Sequence, residues 1–162
     1  MIAIKKVAAS ALCACAGVIF YAPSAWALLP IQHWTEPNGA KVWLVESPVI
    51  PMVDVQVDFD GGSRRDPAAQ AGLASSVALM ASKGVKGGKE GLGAEPALDE
   101  NALGEAWADL GAGFEAGADN DALRYSLRSL TDAPLLDRAA RLAARQMAEP
   151  SWPADIWARD RA

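Results

Sequence analysis

Apolar and polar positions alternate most cleanly from Met52 to Asp60, with Val53, Val55, Val57 and Phe59 on one side and Asp54, Gln56, Asp58 and Asp60 on the other. A period of two predicts a strand buried on one face. The same alternation sets Leu123, Tyr125 and Leu127 against Arg124, Ser126 and Arg128, and Asp119-Asn120-Asp121 predicts the turn that joins this run to a preceding strand, Phe114–Ala118. Near the start, Gln32–Thr35 and Lys41–Val45 flank Pro37-Asn38-Gly39. Asn-Gly between apolar runs predicts a hairpin, because both residues tolerate the positive φ of a type I′ turn.

Elsewhere the spacing is helical. Leu73, Val77 and Met80, with Ala74 and Ala81, predict a buried helix that starts near Pro67 and ends before Gly84. Asp99 caps a second helix, with Leu103, Trp107 and Leu110 inward and Ala102 and Ala106 beside them, and Gly111–Gly113 ends it. Pro134 opens a third, with Leu135, Leu136, Ala139, Leu142, Ala143 and Met147 on one side and Asp137, Arg138, Arg141 and Arg145 on a charged solvent face. After the break Glu149–Pro153, residues Ala154–Ala162 begin a fourth. This order predicts an α+β fold, an antiparallel-rich sheet with helices packed on one face.

Lys5 and Lys6, an apolar run from Val7 to Tyr21, and Pro23-Ser24-Ala25-Trp26-Ala27 make up a secretory signal peptide cleaved after Ala27, with a core too short to span a membrane. Residues 1–27 are thus expected to be the leader and 28–162 the domain. Leu12-Cys13-Ala14-Cys15 fits a lipoprotein box poorly, so lipid anchoring is not expected and the chain is placed in a bacterial periplasm or secreted. Both cysteines lie in the leader, which leaves no disulfide, thiolate metal site or cysteine nucleophile. The exported chain would keep 135 residues, enough for one core, with 13 basic and 20 acidic side chains and a formal charge of −7. That charge argues against nucleic acid or anionic membrane as partners.

Candidate chemistry is sparse. Strand alternation alone accounts for the row of Asp54, Asp58 and Asp60, which reads as a solvated face. The sole histidine, His33, sits in the first strand, and Ser75 and Ser76 have no base at readable spacing, so no serine-hydrolase constellation forms. No spacing pairs the carboxylates for acid/base work. Lys83–Pro96 holds Gly84, Gly87, Gly88, Gly91 and Gly93 without Gly-Lys-Ser/Thr, and reads as a mobile surface loop.

One frame stands out: Gly62-Ser63-Arg64-Arg65-Asp66-Pro67, then Ala71-Gly72-Leu73-Ala74, five residues, Met80, and Lys83-Gly84. Together with Pro37-Asn38-Gly39 it resembles the N-terminal domain of the pitrilysin/insulinase family of zinc metallopeptidases, over about Trp34 to Arg161. In that family the five residues read H-x-x-E-H, two zinc ligands one turn apart and a general base. Here Ser75 and Leu79 occupy the ligand positions and Ala78 the base position. The resemblance therefore implies no catalytic residue and no bound zinc, with apolar atoms of Ala78 and Leu79 filling the vacated space. The family's third ligand would fall past Ala162, with Asp160-Arg161 where the family has Glu-Arg. The family also implies a peptide-accepting edge strand at Phe114, Glu115, Ala116, Gly117 and Ala118, where Glu115 replaces the family's Asn; a plain structural strand remains the alternative.

The reading is a catalytically inactive pitrilysin/insulinase-like subunit, incomplete at its C-terminus, that pairs with an active H-x-x-E-H homologue and helps form a chamber for unfolded peptide. The rival is a stand-alone periplasmic peptide-binding or scaffold protein. An active zinc metalloendopeptidase that uses residues past Ala162 ranks last.

Overall fold

The computed structural model describes residues 29–88 and 95–160. The expected signal peptide, Gly91 and Gly93 of the loop, and Arg161 and Ala162 lie outside the described residues. The chain divides into two units, one ending at Pro48 and one starting at Val49.

In the first unit β1 (Ile31–Thr35) and β2 (Lys41–Val45) pair antiparallel, from Ile31 opposite Val45 to Thr35 opposite Lys41. The turn differs from expectation. Asn38 keeps a negative φ and its Oδ1 accepts the Ala40 N–H at 3.0 Å, so only Gly39 takes a positive φ, of 89°. The Glu36 N–H donates to the Ala40 carbonyl at 2.8 Å, which closes a connection longer than a two-residue type I′ turn.

The second unit is built on β3 (Met52–Phe59), β6 (Gly113–Ala118) and β7 (Leu123–Leu130), all antiparallel in the order β3-β7-β6. Four helices accompany them among the described residues: α1 (Leu73–Met80), α2 (Glu100–Asp109), α3 (Ala133–Ala148) and α4 (Ala154–Asp160). A short pair, β4 (Gly84–Val85) with β5 (Leu98–Asp99), was not legible in the sequence. Asp99 caps α2 through the Ala102 N–H at 2.9 Å, and Asp132 caps α3 through the Leu135 N–H at 3.2 Å.

Leu103 and Trp107 of α2 and Leu110 just past its end join Ala139, Leu142 and Ala143 of α3, with Leu127 and Val85, in one core. Trp107 stacks on Phe114 at 5.5 Å, and Phe114 on Tyr125 at 5.8 Å, which carries the aromatic packing from α2 across β6 to β7. Burying a side chain such as Leu103 contributes about 1.5–3 kcal/mol.

Further expectations are corrected. The apolar side of β3 is only partly covered, since Val55 and Phe59 remain 42% and 49% exposed; β3 is an edge strand and the helices lie over β7 and β6. The first helix starts not near Pro67 but at Leu73, because Pro67 is extended (ψ 142°) and Gly72 takes φ 93°. Leu73 is accordingly exposed, and the buried residues of α1 are Ala74, Ala78 and Met80. Gly84 does not close that helix either. It sits in β4 at φ 128°, where an added Cβ would stand 2.6 Å from the Leu98 carbonyl oxygen.

Arg145 is buried, not on the charged solvent face expected of it. Its guanidinium donates to the Lys86 carbonyl at 2.7 Å, to Glu95 Oε2 at 2.8 Å and to the Pro96 carbonyl. The flanks of the glycine-rich loop are thereby fastened to α3.

Candidate functional site

The approach to α1 is held by polar contacts. After β3 the chain makes a tight turn at Ser63–Arg65, whose backbone docks on the β6–β7 turn: Ser63 N–H donates to the Asp119 carbonyl at 2.8 Å and Arg64 N–H to the Asn120 carbonyl at 3.0 Å. Gly62 is required for that approach, since a Cβ there would lie 2.4 Å from Ala122 N and 2.5 Å from Asp121 atoms. Arg65 forms an ion pair with Asp60 at 2.6 Å. Asp66 reaches forward to accept the N–H groups of Gly72 at 2.9 Å and Ala74 at 3.1 Å, which satisfies two donors at the start of α1. The motif that carries the family resemblance is thus a device for placing α1.

The far end of α1 is held as firmly. Gln146 Nε2 donates to the Ala81 carbonyl at 2.8 Å, and Gln146 Oε1 accepts from Trp107 Nε1 at 2.9 Å, so one buried amide ties α1, α2 and α3. Just beyond, Lys83 pairs with Glu100 at 2.6 Å and Asp160 at 3.2 Å, and Arg159 bridges Asp160 at 2.5 Å and Glu100 at 3.3 Å. The hydrogen bond from Arg159, reinforced by that from Lys83, pushes the Asp160 carboxyl down to about 2.

Between these ends stand Ser75, Ala78 and Leu79, the residues that the resemblance sets at the family's ligand and base positions. Ser75 and Leu79, one turn apart, are both exposed, and Ala78 is buried at 8% exposure. Leu79 is 43% exposed, so it does not fill the vacated space as expected; only Ala78 packs inward. Ser76 Oγ donates back to the Gly72 carbonyl at 2.8 Å and is occupied locally. A hydroxyl, a methyl and an isobutyl group offer zinc no imidazole and water no base, so these residues do not fit the family's metal. Among the described residues no group of three or more His, Cys, Asp or Glu is placed to hold a metal ion. His33 is exposed in β1 of the first unit.

The predicted edge-strand residues Phe114–Ala118 fall within β6, which ends the sheet on one side. α1 packs against β6, so the helix with the vacated positions and the open edge are neighbours. The row of acids on β3 is a solvated, ion-paired face: Asp54 with Arg128 at 2.6 Å and Asp58 with Arg124 at 2.8 Å, all substantially exposed. The buried junction at Arg145 and Gln146 was missed. For Gln146 a signal existed, since it stands seven residues after Ala139 and four after Leu142, on the apolar stripe of α3.

A crystal structure of a peptidase M16 inactive domain from Pseudomonas fluorescens matches with a TM-score of 0.71 and 35% identity, covering 81% of this chain and 29% of that one. This chain has a pitrilysin/insulinase-like domain fold. Two more solved structures share the fold: a protease from Helicobacter pylori (TM-score 0.63, 21% identity, 83% of this chain and 29% of that one) and pitrilysin (0.62, 24%, 82% and 13%). The chain thus spans less than a third of each. No protein-family model and no curated protein matches the sequence.

Proposed function

We propose that this chain is a catalytically inactive pitrilysin/insulinase-like subunit that pairs with an H-x-x-E-H homologue and contributes part of its peptide chamber, with β6 accepting peptide backbone by strand addition. The observation that carries the reading is the contrast within one helix: the frame that positions α1 is complete at Gly62, Asp66 and Gln146, while Ser75, Ala78 and Leu79 remove ligands and base alike. Export to a bacterial periplasm after cleavage at Ala27 belongs to the same proposal, with residues 28–162 as the domain. Sequencing the N-terminus of the protein recovered from a periplasmic fraction tests it.

Metal analysis and a peptidase assay on the purified chain decide the catalytic part: less than one zinc per ten chains and no turnover are expected, roughly, for a helix without imidazoles. Stoichiometric zinc or turnover would overturn it. Co-expression with an exported H-x-x-E-H homologue, followed by gel filtration, tests the pairing. A second reading, a stand-alone peptide-binding or scaffold protein, is favoured by the open β6 edge itself, and a chain that stays monomeric beside the homologue while binding peptide would select it.

A further inference from the structure

The sheet face turned away from the helices is polar, and its charges are unbalanced at β6. Register sets Asp54 opposite Arg128 and Asp58 opposite Arg124, and both pairs close as ion pairs. On the same face β6 presents Gly113, Glu115 and Gly117, opposite Arg128, Ser126 and Arg124. Glu115 is exposed and faces a serine; among the described residues it closes no ion pair, and Arg128, the cation near enough to feel its charge, is already paired with Asp54. Each arginine of the face already serves an aspartate, so the surplus charge at the edge strand is negative.

Space and backbone point the same way. Two depressions, of about 250 and 540 Å³, adjoin at Glu115, one reaching Asp119 and Arg124 and the other Asp54 and Arg128. At Gly113 and Gly117 an added Cβ would meet nothing within 4 Å. β6 ends the sheet, and Gly-Phe-Glu-Ala-Gly-Ala contains neither the lysine nor the proline that commonly blocks strand addition.

We propose that the β6 edge selects extended peptide segments with Lys or Arg across from Glu115. The proposal rests on the reading of β6 as a peptide-accepting edge. An added strand places alternate side chains on the polar face, and the one directly across from Glu115 has its Cβ about 4.5–5.5 Å away, within reach of an ammonium–carboxylate contact. Its neighbours two positions along fall beside Gly113 and Gly117, where no side chain obstructs them. An acid in the central position would meet Glu115 as a like charge, which is unfavourable directly across a strand pair.

Fluorescence anisotropy of the full chain with labelled ten-residue peptides of alternating Thr and Val, carrying Lys or Glu at the central polar position, tests this. The Lys peptide is expected to bind about fivefold or more tighter than the Glu peptide at low ionic strength, with the gap narrowing as salt is added. Glu115→Gln is expected to remove the difference between the two peptides, and the exposed position keeps the fold intact. A Lys peptide N-methylated at alternate amides should lose binding. Equal affinity for the Lys and Glu peptides, or an undiminished difference between them in Glu115→Gln, overturns the charge preference and leaves the edge reading standing. Undiminished binding of the N-methylated peptide, or no binding of any peptide, overturns the edge reading and the preference with it.

Discussion

The two ends of α1 and its middle are made of opposite materials. At the ends, backbone groups are met by a glycine-only close approach, the Asp66 carboxylate and the buried Gln146 amide. In the middle, Ser75 and Leu79 stand in solvent and Ala78 lies against the core. The difference separates two requirements that an active relative would merge: holding a helix beside an edge strand, and giving that helix ligands. The first survives without the second, because backbone hydrogen bonds and close approaches, not the metal, set the helix in place.

Substitutions at the ends should therefore cost far more than substitutions in the middle. Gly62→Ala forces a Cβ against the backbone at Asp121 and Ala122, and a loss of about 3 kcal/mol is expected in urea denaturation. Gln146→Leu leaves the Trp107 N–H and the Ala81 carbonyl buried without partners, at about 2 kcal/mol by the same measurement. Asp66→Ala removes the acceptor for two N–H groups at the start of α1 and should cost about 1 kcal/mol, with faster amide exchange at Gly72 and Ala74. The double change Ser75→His, Leu79→His falls on exposed positions and should alter stability by no more than about 0.5 kcal/mol. If the double change cost as much as Gly62→Ala, the contrast between ends and middle would be lost.

Much of this was legible in the sequence, for identifiable reasons. Period-two alternation located β3 and β7 because their registered partners share faces: Val57 opposite Tyr125 inward, Asp58 opposite Arg124 outward. Asp99 announced α2 because a carboxylate cap acts on residues three positions ahead, and Pro134 announced α3 because its fixed φ suits a first helical turn, whereas the Asp132 cap was not read from the sequence. The start of α1 was misplaced because Asp66 caps from six and eight residues away, beyond the range at which local signals operate. Arg145 was misread because a long cationic side chain resembles a solvent face until the carbonyls it meets, Lys86 and Pro96, are brought in from another part of the chain. Motif spacing singled out Ser75, Ala78 and Leu79, whereas the exposure of Leu79 needed the fold.

The Arg145 grip also bears on how the chain tolerates lengthening. One guanidinium holds the carbonyls of both Lys86 and Pro96, so the two ends of the intervening stretch stay fixed relative to α3 whatever lies between them. Closure entropy grows only with the logarithm of loop length, about 0.6 kcal/mol for each doubling. An epitope tag inserted after Gly88 should then cost about 0.6 kcal/mol when it doubles the stretch, as read by urea denaturation. The same tag inserted after Asn120 would break the backbone bonds to Ser63 and Arg64 and dislodge the approach to α1. Permissiveness to insertion is thus a property conferred on the glycine-rich stretch by its anchors, not by its glycines.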